Sequence, residues 1–468
     1  MNLSIVPGAV AALEAALSEL MASSPAGFAQ LEEAAKRMAL ASGAEALSRA
    51  LERRDRELLA SSRPAGSKVH SRRPRTLATT MGDVTFGRTL LLDAAGNTLC
   101  PLDEELGLPL GDRVSPAARG FLVTCGADVP FARTARLMEM AGGSAVSATT
   151  VMSSLRRAGE AVAELERSAA RDLYRDGVPP EADSAAEEVL VEADGTYVRV
   201  RGGATAEVKA VVAYAGKERE GRRARRVEPV RLGCVGEAPG GFWEQAVAQI
   251  GRRFDLARIE RVHLGTDGEA QYVNGISRLR FPEAAGHIDP FHVARAVASC
   301  AVDRAAGGAA LADAVRTLGP EACADLIDEM LGDGTAREGS EAVAAYLRRH
   351  AAEIGGGPSM GTMEAEQQHM YKARMASFPC AWSREGADAM ARVRSWLYSG
   401  FALPRRAREG SRSRRRAARR DERLASFVAS RPGTRLESEG KGWEYPVSAS
   451  LAGMRADVRY EAAGCPLG

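Results

Sequence analysis

Residues 187–305 carry the pattern that leaves this chain the fewest folds to choose from. Three β-patterned runs, EEVLVEADGTYVRV, AEVKAVVAYAGKE and RRVEPVRLGCVG, follow one another across Gly-rich or charged turns, as an antiparallel meander would. A helical stretch at 241–254 (GFWEQAVAQIGRRF) comes next, then the strand IERVHLGTDG, a short helix near 270–279, a short strand AAGHID and a helix from Pro290. Strands that first pair in sequence and then alternate with helices predict an open sheet with helices on its faces.

The order β-β-β-α-β-α-β-α is that of the ribonuclease H-like fold. The expected architecture is therefore an α/β core: a mixed sheet, flanking helices and an α-helical insertion. An α-helical N-terminal region with a small β-unit precedes it. Six segments follow from this reading: 1–75, helices and a basic connector (63–75, RPAGSKVHSRRPR); 76–185, the β-unit and a pair of helices; 186–304, the first part of the core; 305–357, the helical insertion; 358–400, the final core helix; 401–468, a basic C-terminal segment. Within 76–185, PFARTARLMEMAGGSAVSATTVMSSLRRAGE reads as two amphipathic helices around a Gly-Gly-Ser turn, with Ser147 capping the second. That arrangement suits a helix-turn-helix reading DNA, and equally a plain helical packing unit.

Composition excludes several classes. No run of 18 apolar residues appears, so no membrane span is expected. The N-terminus has no basic n-region and carries glutamates at 14 and 19, so it does not read as a signal peptide. Seven scattered cysteines without a CxxC pair read as reduced thiols, with the cytoplasm (and there the nucleoid) as the expected compartment. The 63 Lys and Arg nearly cancel the 61 Asp and Glu, yet residues 405–420 hold nine arginines and one glutamate. Such a run points to phosphate binding. The expected DNA contacts are Arg405, Arg406, Arg412, Arg414, Arg415, Arg416, Arg419 and Arg420 there, Arg72, Arg73 and Arg75 in the connector, and Arg156 and Arg157 on the second helix of the pair.

Three carboxylates stand out by position. Asp194 lies in the first long β-run, Asp267 follows the apolar strand VHLG, and Glu364 opens a helical segment after the Gly-rich GGGPSMG. In a ribonuclease H-like sheet the first and fourth strands are neighbours, so Asp194 and Asp267 would meet, and a helix packed on the sheet would bring Glu364 beside them. Carboxylates gathered this way suit Mg²⁺, a hard cation that needs one or two of them and keeps several waters. Two such ions, with Mn²⁺ able to substitute, stabilise both the attacking and the leaving oxygen of a phosphodiester displacement. Glu192 competes as a ligand because it shares Asp194's strand face. Glu366 competes with Glu364, but about 200° around the helix lets only one of them face the site. HIDPFH, with His287, Asp289 and His292, could be a separate metal site, or Asp289 and His292 could shape the sheet edge near Asp267.

Five motifs in order resemble the DDE-type transposases of bacterial insertion sequences, of the ISLre type (formerly an uncharacterised protein family). RTLATTMGDVTFGRTLLLDAAGNTLCPLDEELGL is similar to that family's N-terminal β-unit, and VEADGTYVRV to its first catalytic strand. GFWEQAVAQIGRRFDLARIERVHLGTDGEAQYV is similar to the helix and second catalytic strand, and HIDPFHVARAV to the segment after it. MEAEQQHMYKARMASFPCAWSREGADAMARVRSWLYSG is similar to the third acidic motif. The resemblance implies Asp194, Asp267 and Glu364 as the metal-binding triad, with His369, Lys372 and Arg374 toward DNA. There are two departures. Thr266 stands where the family usually has Gly before the second aspartate, and Ala365 stands where it has Gly after the third acid. The implied activity is cleavage of element ends and transfer of their 3′-hydroxyls to double-stranded target DNA, by a homo-oligomer that joins two ends. A DNA-binding protein without catalysis, a nuclease without strand transfer, and a zinc hydrolase built on His287, Asp289 and His292 are the alternatives.

Overall fold

The computed structural model describes residues 7–23, 27–109, 111–221, 223–354, 357–358, 360, 363–377, 380–404, 424 and 427. They fall into two compact units, divided between Ala158 and Gly159. No helix among them is long and apolar enough to cross a membrane.

In the first unit, helices α1 (Pro7–Ser23) and α2 (Phe28–Ser61) lead into strands β1 (Lys68–Thr79), β2 (Gly82–Leu92) and β3 (Thr98–Leu99), an antiparallel sheet in that order. The buried carboxylate of Asp55 on α2 accepts from the Thr89 N–H (3.1 Å) and hydroxyl (2.8 Å), which ties the helix to β2. The basic stretch 63–75, expected as a connector, is half strand. From Lys68 it pairs with β2, with a shift in register between Val69 and Ser71, and Arg75, Leu77 and Thr79 alternate inward. Pro74 lacks an N–H, which an outer strand of the sheet tolerates. Helices α3 (Pro101–Glu105), α4 (Pro116–Asp128), α5 (Phe131–Met140) and α6 (Ala148–Asp176) follow. Ser147 does cap α6: its hydroxyl accepts from the Thr150 N–H at 3.1 Å.

In the second unit, β4 (Glu188–Arg199), β5 (Thr205–Tyr214) and β8 (Val230–Val235) form the expected meander. A separate two-stranded ribbon, β6 (Lys217–Glu220) and β7 (Arg223–Arg226), interrupts it between β5 and β8. The run RRVEPVRLGCVG is thus two strands. It breaks at Glu228, whose φ of 48° precedes Pro229, a conformation no ladder accommodates. Helix α7 (Pro239–Arg253), β9 (Arg261–Thr266), α8 (Ala270–Val273) with a 3-10 turn, β10 (Glu283–Ile288) and α9 (Pro290–Ala298) complete the strand–helix alternation. The result is a mixed five-stranded sheet, order β10-β9-β4-β5-β8, in which β9 runs parallel to both β4 and β10. Val189, Val191 and Ala193 of β4 join Phe242, Trp243, Val247 and Ile250 of α7 in one core.

Helices α10 (Gly307–Thr317), α11 (Pro320–Gly332) and α12 (Glu341–Arg349) form the expected helical stretch, with a core of their own around Val297, Leu311, Ile327 and Leu347. Then come α13 (Met363–Gln367), a π-turn over Gln368–Lys372, α14 (Ala373–Met375) and α15 (Arg384–Tyr398). Gly233 of β8 lies so close to the Tyr371 hydroxyl that a Cβ there would collide with it, which fixes this helical run against the sheet.

Arg392 of α15, wholly buried, ties α6, α7 and α15 together. It bonds Glu166 of α6, Gln245 of α7 at 2.9 Å, Glu237 at 2.8 Å and Asp388 at 2.9 Å. Removing one side of a buried ion pair leaves the other charge uncompensated. Arg392→Met should therefore cost about 3–5 kcal/mol in urea unfolding, and Glu166→Leu combined with it should recover part of the loss. A single-variant loss under about 1 kcal/mol, the range of surface pairs, would show that Arg392 is not a keystone.

Candidate active site

The parallel register of β4 and β9 sets Ala193 beside Thr266, so the residues that follow lie near each other: Asp194 within β4, still paired with β5, and Asp267 just past the end of β9. Asp194 is partly buried, and its carboxylate takes the N–H of Gly195 at 2.6 Å. Asp267 accepts the Glu269 N–H at 2.9 Å, closing a tight turn through Gly268 (φ 93°). A side chain at Gly268 would also strike the Tyr346 hydroxyl, so the turn needs glycine twice over.

The electrostatics follow from this crowding. Burial and the neighbouring charge of Asp267 push the Asp194 carboxyl up to about 8, against the opposing pull of the Gly195 N–H and the Lys372 ammonium. Burial, Glu207 and Asp267 push Glu269 up to about 7. Glu207, from β5, accepts from the Tyr272 hydroxyl at 2.6 Å and the Gln271 amide at 2.8 Å. Gly195 makes room for that pair, since a Cβ there would run into both the Glu207 carboxylate and the Tyr272 hydroxyl.

Helix α13 is held at the same place, because the Gln367 amide donates to the Gly195 carbonyl at 3.0 Å. Of its two glutamates, Glu366 is buried and paired with both Arg226 and Arg231, whereas Glu364 is exposed. Burial opposes its charge, yet Arg231 and then Arg226 hold the Glu366 carboxyl below the usual carboxylate range. Glu366 is thus engaged in structure, and Glu364 is the acid of the two left facing out. Glu192, the other rival, is buried and accepts from the Tyr214 hydroxyl at 2.6 Å.

As a donor set, Asp194 and Asp267 fit a hard divalent cation: two carboxylates pressed together, one of them strongly disfavoured as an anion without a positive partner. Among the described residues no three Asp, Glu, His or Cys side chains are gathered closely enough to hold one ion. Glu364 therefore stands apart from the pair here, and an ion held by the two carboxylates would have to draw Glu364 in or complete its shell with water. The His287–Asp289–His292 group does not converge either. His287 contacts His263 across the sheet (2.8 Å, ring nitrogen to ring nitrogen), while the Asp289 N–H bonds the Thr266 carbonyl at 3.0 Å and the His292 N–H the Asp289 carbonyl at 3.1 Å. Asp289 and His292 do therefore sit beside the end of β9.

The expected DNA-facing residues divide by burial. Arg75 is buried and paired with Asp103 at 2.7 Å, so it is spent inside the first unit. Arg72 pairs with Glu52 at 3.3 Å, and Arg73 is exposed. Arg156 and Arg157 are exposed on α6, Arg157 lying 3.8 Å from Asp112. His369 is exposed, the Lys372 ammonium is near enough to Asp194 to favour its charged form, and Arg374 is buried over the Trp382 ring at 5.3 Å. Arg405, Arg406, Arg412, Arg414, Arg415, Arg416, Arg419 and Arg420 lie outside the described residues. Sequence reasoning missed Glu207, Glu269, Tyr272 and Gln367. Glu269 had a signal, its place two residues after Asp267; Glu207 had none, because only the β4–β5 register brings it there.

A family model described as "Uncharacterised protein family (UPF0236)" matches residues 23–412. A relative from Streptococcus gallolyticus, named as a UPF0236 protein in the vanSb 3′ region, is 24% identical over 329 residues, covering 66% of this chain and 69% of its own. Two UPF0236 proteins of Caldanaerobacter subterraneus subsp. tengcongensis are each 21% identical over 343 residues, covering 70% of this chain and 69% and 65% of theirs. These names state no activity. The match over residues 23–412 establishes that the chain belongs to the uncharacterised protein family UPF0236.

Proposed function

We propose that the chain is a DDE-type DNA transposase whose second unit is a ribonuclease H-like catalytic core. The observation that carries this reading is the side-by-side placement of Asp194 and Asp267 by adjacent parallel strands, with Asp194 driven toward its neutral form by burial and the Asp267 charge. The strand order β10-β9-β4-β5-β8 supports it: three antiparallel strands in sequence, then a fourth and a fifth added parallel beside the first. Glu364 supports it further, because it follows the helical stretch 307–349 on a helix anchored to β4.

Asp194 and Asp267 would hold Mg²⁺, or Mn²⁺ in its place, with Glu364 as the third ligand. The bound metal supplies Lewis-acid polarisation of the phosphate and an activated water or 3′-hydroxyl at neutral pH. The chain's own residues do the rest. Gln367 fixes α13 against Gly195, Tyr272 and Gln271 hold Glu207 in place, and Lys372 places a positive charge beside Asp194. Exposed basic residues, Arg73, Arg156 and Arg157 among them, would contact the phosphates of double-stranded DNA, where most of the affinity arises. Joining two element ends requires a homo-oligomer, and a DNA substrate places the protein at the nucleoid.

Two outcomes test the site. The first is pH-dependent stability without metal. The native state keeps on Asp194 a proton that the unfolded chain releases near 3.8, so stability falls as pH rises from about 4 to about 8. In EDTA, Asp194→Asn should flatten that fall in urea unfolding. Mg²⁺ at pH 8 should stabilise the wild type and leave Asp194→Asn unmoved; parallel curves for the two proteins would remove Asp194 from the site. The second is activity on DNA carrying the ends of the element that flanks the gene. Mg²⁺-dependent nicking and strand transfer are expected, and Asp194→Asn, Asp267→Asn and Glu364→Gln should each lose more than the roughly 10–100-fold that outer-shell changes cost. Full activity in Asp194→Asn would sink the triad, and nicking without joining would favour a nuclease.

A further inference from the structure

The ribbon β6–β7 is strongly basic and lies outside the five-stranded sheet. Its ten residues, KEREGRRARR, hold six basic side chains against two acidic ones. The pairing is antiparallel, Lys217 with Arg226, Glu218 with Arg225, Arg219 with Ala224 and Glu220 with Arg223, turning at Gly221 (φ 63°). Because side chains alternate across a ribbon, this register puts Arg219 on one face and Arg225 on the other. Both are exposed, and neither makes an ion pair with a described residue.

The root of the ribbon is different. Lys217 and Arg226 are half-buried, with their charges over the Tyr214 ring at 5.9 Å and 5.6 Å. Arg226 bonds Glu366 on α13, and the Lys217 ammonium donates to the Met360 carbonyl at 3.5 Å. The ribbon is therefore anchored to the helix that carries Glu364, while its outer arginines face solvent.

We propose that the ribbon Lys217–Arg226 is a DNA-contacting arm of the second unit, gripping duplex phosphates through Arg219 and Arg225. The inference rests on the DNA-cutting reading above and names a surface by which this unit holds its substrate. A two-stranded ribbon fits the B-DNA major groove, about 12 Å wide, and a groove has a phosphate wall on either side. Arginines on opposite faces match that geometry, and the planar guanidinium fork suits phosphate oxygens. The anchor through Arg226 and Glu366 gives the arm a fixed position relative to α13, the helix that carries Glu364.

The test is anisotropy binding of the full chain to a fluorescein-labelled DNA duplex of unrelated sequence, in EDTA, across a KCl series. Arg219→Ala/Arg225→Ala should weaken binding several-fold and make the log–log salt slope shallower by roughly two, one for each lost phosphate contact. Arg219→Lys/Arg225→Lys should restore most of the slope, and the melting temperature of both variants should match the wild type. Unchanged affinity and slope in the alanine variant would overturn the proposal. So would a lysine variant as weak as the alanine one, since the loss would then not be one of charge. This binding is read without metal or cleavage, whereas the catalytic reading stands or falls on Mg²⁺-dependent nicking and joining, so a failed arm and a failed catalytic reading give different results.

Discussion

The parallel register of β4 and β9 leaves the chain no choice over where Asp194 and Asp267 go. Once Ala193 and Thr266 are paired, the next residue of β4 and the residue just past the end of β9 fall beside each other. Two carboxylates there repel, and burial removes the water that would screen them. Much of the surrounding structure reads as a response to that pair. Gly195 clears space at the strand, Gly268 turns the chain within the radius of the Tyr346 hydroxyl, Gln367 docks a helix, and Lys372 brings the nearby positive charge.

The pair is informative because buried acids elsewhere in the second unit are compensated. Glu366 lies between Arg226 and Arg231; Glu166 meets Arg392 and the Gln249 amide (2.9 Å); Glu192 takes the Tyr214 hydroxyl. A fold that supplies guanidinium partners so freely could have supplied one to Asp194. Asp194 instead has Asp267 and Glu269 against it and Lys372 as the positive charge that favours its ionised form. That contrast, rather than the acidic residues themselves, separates a site from a set of core ion pairs.

What the sequence disclosed, and what it hid, divides along the same physics. The strand and helix order of 187–298 was legible because apolar periodicity survives in β4, β5, α7 and β9 whatever their neighbours. Asp194 and Asp267 were legible for the same reason, since each sits at a definable place on an apolar strand. Composition misled where charge is structural. Lys68–Thr79 reads as a basic linker, although Arg75 points inward to Asp103, and that pair is visible only once β1 and α3 are in place. The ribbon was hidden because RRVEPVRLGCVG keeps strand character on both sides of a break made by backbone geometry at Glu228. Glu207 was out of reach, because cross-strand register is a property of the pair and not of either strand. The choice between Glu364 and Glu366 likewise turned on two arginines from β7 and β8, both more than 130 residues earlier in the chain.

The π-turn at Gln368–Lys372 shows how a local irregularity reaches the site. In an α-helix, residues five apart are about 140° away from sharing a face. The π hydrogen bond from the Ala373 N–H to the Gln368 carbonyl spans five residues, so five-apart positions come nearly over one another. Gln367 and Lys372 are such a pair. Gln367 holds the Gly195 carbonyl, and the Lys372 ammonium is near enough to Asp194, the adjacent residue on the strand, to favour its charged form. A regular helix docked by Gln367 would carry Lys372 round to another face and leave Asp194 with acids for neighbours and only a backbone N–H for support. The extra residue in that turn is what lets one helix both anchor at the strand and bring a cation to it.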